Sequence, residues 1–569
     1  MAMKSTKSKQ IFQLVAWLLI LILLNFTGSY FFKRFDLTTE KRYTLNPETV
    51  KMLQNLDDEI YVKVYLEGDF NAAFTRLRNE TREMLDEFRI YAKKGLNYEF
   101  INIYDQKNKG DITEVQRELY NKGIEPTELR TKTGKGEQTQ VLFPGAVIYF
   151  KTREGVWQIF NKQDGIPAEQ CVNNSVQNLE YGLSNTIRKI QETIRPRVAF
   201  IRGHHELDTS HTREIYNALS EYYDVEYIRI KKRLKALKPY AAIVLAWPDS
   251  VVSEQDKFII DQYVMNGGKV LWCLEPVYTN YDSLKLKGYT LGLNNNINLD
   301  DILFNYGARV NPALVQDMQC GFIPINRGFK GGSADLQMFP WIYKPMVMPQ
   351  GNHPIVKNLG LIRFEFSGYI DTVGAPGIKK TVLLASSKNS RVQAVPARIS
   401  LSIVGSHLNE TKFTNGNKPM AVLLEGSFRS NYQNRLTDTI ANDSMIAFKG
   451  KSSPTSMIVI ADGDIIRNDF NYQTMSTSPV GYDKYMKQEF ANKTFLLNCM
   501  NYLIDGPDLM SVRTREVKLR LLDRKKIGLD NPLKWKMYNV LFPLVILVFS
   551  GAILSSLRRK KFTSTNEKK

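Results

Sequence analysis

Three apolar stretches, RVAFIR at 197–202, AAIVLAW at 241–247 and KVLWCL at 269–274, decide the fold reading. Each is a strand-length run without polar alternation, the mark of a strand buried on both faces. Between them, 212–223 and 253–267 read as helices, the second with Ser253 as N-cap and Gly267 and Gly268 as its stop. Residues 224–230 read as a further strand. Buried strands alternating with helices predict a parallel sheet covered on each side. More strands are expected at 381–386, 418–426 and 456–461, and a helix near 485–503. The expectation is one doubly wound α/β domain over 196–506. It carries an insertion at about 277–377, where prolines are frequent and periodic runs few.

Upstream, 33–170 reads as a smaller α/β module. A helix at 46–56, capped by Asn46 with Pro47 at its first position, precedes a strand at 59–66. A helix at 72–94, a strand at 96–104, a helix at 113–123 and strand pairs at 128–142 and 146–160 follow. The order β-α-β-α-β-β is that of a thioredoxin-like layer. The redox cysteines of that fold are absent, which predicts a docking or structural module. Residues 171–195 read as a connecting amphipathic helix, apolar at Val172, Val176, Leu179, Leu183, Ile187, Ile190 and Ile194, expected to pack between domains.

Two apolar runs bracket the chain, at 11–32 and 537–557, each long enough to cross a hydrocarbon core of about 30 Å. No A-x-A-like cleavage site follows the first, so it is expected to stay as an anchor. Both tails, 1–10 and 558–569, are short and basic, but so are the flanks at 33–42 and 534–536. The expected topology is two-pass in the inner membrane, with cytoplasmic tails, a large outer domain and a basic stalk at 507–536.

Composition is globular: 43% hydrophobic, 24% charged and a net charge of +19. That excludes wholesale disorder. The four cysteines, Cys171, Cys273, Cys320 and Cys499, form no C-x-x-C, which excludes a local zinc clip or dithiol. No phosphate-cradling G-x-x-x-x-G-K-[ST] occurs, so ATP hydrolysis is not expected. No nucleic-acid-binding module is present, and membrane flanks and envelope surfaces account for the positive charge.

Two polar loops follow apolar strands, where doubly wound folds bind ligands. The first holds His204, His205, Glu206 and Asp208 after Gly203. Histidine with carboxylates suits zinc or proton transfer. The zincin spacing fails because Thr209 stands where the second histidine belongs, and a polar turn that caps the next helix is favoured. The second loop holds Asp462 and Asp464 around Gly463. Two carboxylates at a strand end could hold Mg²⁺, but an aspartate turn bonded to backbone amides is favoured. No metal or cofactor is therefore expected, although the two loops are predicted to meet at one crevice. Cys273 lies inside a strand and reads as a buried small apolar residue rather than a nucleophile. Phe339, Pro340, Trp341 and Tyr343 read as an aromatic loop that could stack on a sugar or a partner, with Trp341 as the binding candidate, although such residues are more often local core.

The segments RFDLTTEKRYTL at 34–45, RGHHE at 202–206, AVLLEGSF at 421–428 and VIADGDIIRN at 459–468 carry a resemblance, as do 479–483 and 492–503. In that order, the chain resembles the GldG family of gliding-motility-associated ABC-transporter accessory proteins of Bacteroidetes-type bacteria. Where that family usually reads Gly-His-Gly-Glu, this chain carries His205 in place of the second glycine. The resemblance implies a non-enzymatic subunit whose outer domain binds a partner or envelope ligand. It implies two partners, a separate ABC ATPase (GldA-like) and a multispanning membrane subunit (GldF-like). It also implies a class I glutamine-amidotransferase-like middle domain, onto which no catalytic Cys-His-Glu set maps. The competing expectations are a membrane-anchored hydrolase or amidase, and a glycan-binding scaffold, each using the strand-end crevice.

Overall fold

The computed structural model describes residues 11–12, 14–23, 26, 44–105, 112–133, 136–162, 166–192, 195–330, 333–405, 409–437, 442–506 and 532–563. The N-terminal tail, residues 27–43, most of the expected stalk (507–531) and residues 564–569 lie outside the described residues. The chain divides into two units, Met1–Arg515 and Glu516–Lys569.

A seven-stranded sheet organises the first unit. Its spatial order is Ile378–Ala385, Pro419–Gly426, Thr455–Ile460, Lys269–Cys273, Ala242–Ala246, Arg197–Arg202 and Asp224–Arg229. The last five run parallel. Pro419–Gly426 runs antiparallel to both its neighbours, a departure from the expected all-parallel sheet. The cause is its connection. Between Ile378–Ala385 and Pro419–Gly426 the described chain makes only short strands and 3-10 turns. Without a crossover helix the natural return is antiparallel.

Successive strand residues point to opposite faces, and the core divides accordingly. Val198, Phe200, Val244, Leu271 and Ile458 pack on one face with the helices Arg213–Ser220 and Asn492–Asp505. Ala199, Ile201, Ile243, Trp272 and Val459 pack on the other with Glu254–Met265 and Asp300–Tyr306. Ser253 caps Glu254–Met265 as expected, its hydroxyl accepting from the Asp256 N–H at 3.2 Å. The last helix begins at Asn492 rather than 485, because 482–489 folds into a small strand pair.

The expected loose segment contains long strands. Cys320–Lys330 and Ser333–Val347 form an antiparallel hairpin. Ala313–Asp317 pairs with Ser390–Ala394, and Tyr289–Asn294 with Ala397–Ser400. Trp341, Tyr343 and Phe366 fill a core of their own there. Buried Lys344 meets Asp483 at 2.5 Å and ties this hairpin to the 482–489 pair.

The N-terminal layer has four strands in the order Leu96–Phe100, Ile60–Val64, Gly145–Phe150 and Arg153–Gln158. The first two are parallel and the others antiparallel. Ile60, Val62, Val64 and Ile148 pack against Ala72–Tyr91 and Ala168–Gln191. Val147 faces the opposite side with Leu119 of Ile112–Asn121. Ala168–Gln191 approaches closely at Gly182, where an added Cβ would lie 2.5 Å from the Trp157 ring nitrogen. The same helix reaches the large domain, with Tyr181 in the core of the seven-stranded sheet and Arg188 paired to Asp505.

In the second unit a helix spans Pro532–Thr563. Its segment Met537–Leu557 has 21 residues and contains an 18-residue stretch of mean hydropathy 2.4, long and apolar enough to cross a membrane. Within the first expected span, the described apolar helix is the shorter Leu14–Leu23.

Candidate functional site

Parallel strands end on one side, and four loops gather at that edge of the large sheet. They follow Arg197–Arg202 (the Gly203 loop), Ala242–Ala246 (Trp247), Lys269–Cys273 (Glu275) and Thr455–Ile460 (Asp462 and Asp464). The structure therefore brings the two polar loops to one edge. Asn468 joins them: its side-chain amide donates to the Ser210 carbonyl at 2.9 Å, and its backbone N–H donates to the His211 carbonyl at 2.9 Å.

His204 is buried, 5% exposed, and both ring nitrogens are engaged. Nδ1 lies 2.9 Å from Glu206 Oε1 and Nε2 3.2 Å from Asp256 Oδ2. Glu206 Oε2 accepts the backbone N–H of Gly203 at 2.8 Å and of His204 at 2.9 Å. Burial opposes the imidazolium, but Glu206 and Asp256 outweigh it and raise the His204 pKa. Burial likewise opposes the Glu206 carboxylate, yet the His204 ring and the backbone donors hold its pKa below the ordinary value. The His204 carbonyl accepts from Asp249 and Ser250, fixing the neighbouring loop. This set is a closed clasp. It holds the loop in shape and leaves no ring nitrogen for a metal or a substrate.

His205 and Asp208 are exposed. His205 has φ +55°, a left-handed conformation that glycine adopts most readily. Asp208 Oδ1 accepts from Ser210 and His211, both backbone and side chain. Burial pushes the Asp208 pKa up, but these donors together outweigh it and hold the pKa at about 2. The polar turn expected from sequence is present, but it does not cap the next helix, Arg213–Ser220, whose N-cap residue Thr212 makes no side-chain cap hydrogen bond.

The second loop is different. One oxygen from each of Glu275, Asp462 and Asp464 lies within 4.8 Å of the others. Asp462 accepts from the Glu365 and Asp464 N–H groups at 2.8 and 2.7 Å. Glu275 Oε2 accepts from the Gly463 N–H at 2.9 Å. Arg467 is the nearest cation, 3.3 Å from Asp464. Burial, then the adjacent carboxylates, drives Glu275 and Asp462 well above the usual range. Burial raises Asp464 to about 6 against the pull of Arg467.

Sequence reasoning missed Glu275 and Asp256. The available signal for Glu275 was its position: it follows an apolar strand just as Asp462 does. Trp341 requires a correction. It lies in the strand Ser333–Val347 rather than in a loop, fully buried 5.1 Å from the Tyr343 ring, so it has no face for a sugar or a partner. Cys273 is fully buried and its thiol pKa is pushed up, consistent with a packing residue. A cleft of about 870 Å³ lies elsewhere, lined by Arg309, Arg429, Arg435, Lys451, Asp300 and Asp301 among others; none of the sequence-predicted site residues lines it.

Comparison with known proteins gives two family matches. Residues 39–149 match a domain of unknown function (DUF7088). Residues 195–499, more than half of the chain, match the ABC-type uncharacterized transport system auxiliary family. No curated protein matches. Among solved structures, the mmIFT52 N-terminal domain is 14% identical with a TM-score of 0.31, covering 55% of this chain and 98% of that one. A thua-like protein from Parabacteroides merdae is 12% identical with a TM-score of 0.25, covering 55% and 91%. An exo-β-1,4-mannosidase from an Opitutaceae bacterium is 10% identical with a TM-score of 0.20, covering 72% and 48%. These likenesses are too weak to bear on function. The chain belongs to the ABC-type uncharacterized transport system auxiliary family.

Proposed function

We propose that this chain is a non-enzymatic, two-pass accessory subunit of an inner-membrane ABC transporter that serves gliding motility. The observation that carries the reading is the family match across the sheet-bearing region, 195–499. The apolar helix Met537–Leu557 and the shorter Leu14–Leu23 fit an anchor at each end. Energy and pore come from partners, a GldA-like ATPase and a GldF-like multispanning subunit, and the large domain stands outside the cytoplasm.

Within that domain, five parallel strands with helices on both faces support a doubly wound, class I glutamine-amidotransferase-like reading. The strand order and directions of the N-terminal layer support a thioredoxin-like docking module. Recognition of a partner or envelope ligand falls to the carboxyl edge. His205 and Asp208 make the contact there, while buried His204, Glu206 and Asp462 hold its shape. A hydrolase or amidase needs an available base or nucleophile. Engagement of both His204 nitrogens and burial of Cys273 favour the binding role.

Replacing His205 and Asp208 together by serine and asparagine tests the crevice. Gliding or transporter assembly should weaken while membrane insertion stays intact; wild-type gliding and assembly would remove the crevice from the account. Protease added to intact spheroplasts should digest the large domain, and full protection would reject the orientation. The purified chain alone should not hydrolyse ATP; turnover that follows it through purification would contradict the accessory role.

A further inference from the structure

The carboxylate cluster is set by strand register. Cys273 pairs with Ile460, and the Leu274 N–H donates to the Ile460 carbonyl at 3.0 Å, so the two central strands leave the sheet in step. Glu275 and Asp462 emerge side by side, and the turn at Gly463 brings back Asp464. Their oxygens lie within 4.8 Å of one another. Hard cations such as Ca²⁺ bind carboxylate oxygens at about 2.3–2.6 Å, and a point among three oxygens so spaced lies at most about 2.8 Å from each, so small side-chain rotations bring all three onto one ion.

Glu275 supplies a second observation. It is 2% exposed, and its Oε1 has neither solvent nor a hydrogen-bond partner. Buried carboxylate oxygens ordinarily have partners. Charge points the same way. Glu365 adds a further carboxylate to the group, and Arg363 and Arg467 are the cations acting on it. Four carboxyl groups thus face two guanidinium groups.

We propose that Glu275, Asp462 and Asp464 bind one hard divalent cation of the Ca²⁺ or Mg²⁺ class, which clamps two adjacent strand ends to the 462–464 turn. Water completes the coordination from the side of Asp464, whose side chain is 19% exposed. The proposal stands independently of the transporter reading.

The test uses the full chain in detergent after chelation, with Tb³⁺, Ca²⁺ and Mg²⁺ as probes. Trp247 packs against Gly463, where an added Cβ would lie 2.7 Å from its Cγ, so it should sensitise Tb³⁺ luminescence. The expected result is one Tb³⁺ per chain, displaced by Ca²⁺ or Mg²⁺, with the displacing ion raising the melting temperature. Glu275→Gln and Asp464→Asn should each lose the luminescence and the thermal shift. Trp247→Phe should lose the luminescence and keep calorimetric binding. A wild-type chain that binds none of these ions, or variants that bind like wild type, would overturn the proposal. Should Glu275→Gln not fold, the wild-type titration and the partly exposed Asp464→Asn still decide.

Discussion

The His204 clasp and the Glu275, Asp462 and Asp464 cluster stand at the same sheet edge with opposite charge balance. In the clasp, the His204 ring lies between Glu206 and Asp256, and Glu206 also takes two backbone N–H groups. Its members complete one another. In the cluster, three carboxylates crowd together and one buried oxygen has no partner. A similar position in the fold thus gives a finished structural element in one loop and an incomplete one in the other. A completed clasp should be damaged by removing any member, whereas an over-charged cluster should tolerate neutralisation and respond to a cation.

The largest contrast should come from Glu206→Ala. It strands two backbone donors and leaves the His204 charge less compensated, so unfolding of the full chain in detergent should show a loss of about 3–5 kcal/mol. A loss below about 1 kcal/mol would place Glu206 with surface pairs instead. Next comes the cluster. With cation at about 100 times its Kd, wild type should gain about 2.7 kcal/mol over the chelated chain, and Glu275→Gln should gain nothing.

A pH series sharpens the difference further. The folded pKa of His204 lies above its ordinary 6.5, so its stabilisation is complete below 6.5 and lost as pH rises through the folded value. That of Glu206 lies below its ordinary 4.5, so its stabilisation is complete above 4.5 and lost as pH falls through the folded value. The clasp should be strongest between those two ordinary values. In melting curves His204→Asn should remove the alkaline decline; an unchanged decline would assign it to other groups. The smallest effect is expected at His205. His205→Gly relieves a left-handed conformation and gives up chain entropy, a net gain of no more than about 1 kcal/mol. A clear loss would mean that the imidazole makes contacts of its own.

How much of this was legible in the sequence depended on where the information lies. Strands such as Ala242–Ala246 were readable because burial on both faces makes the run continuously apolar. The helix Ala168–Gln191 was readable from its 3–4 spacing. The direction of Pro419–Gly426 was not, since a central strand is apolar whichever way it runs. The 320–347 hairpin was hidden by Pro324, Gly328, Pro340 and Pro345, which interrupt alternation, and Trp341 was misplaced with it. At the candidate site, the loops were visible as polar breaks after strands. The partnership of Glu275 with Asp462 was not, because it arises from a register between residues nearly two hundred positions apart.

The measurement that bears most directly on the central claim is affinity purification of the tagged chain from native membranes in mild detergent, with the copurifying proteins identified and quantified. The account predicts an ABC ATPase and a multispanning membrane protein in fixed ratio to the chain. Recovery of the chain without either subunit, under conditions that keep the ATPase bound to its own membrane partner, would contradict it.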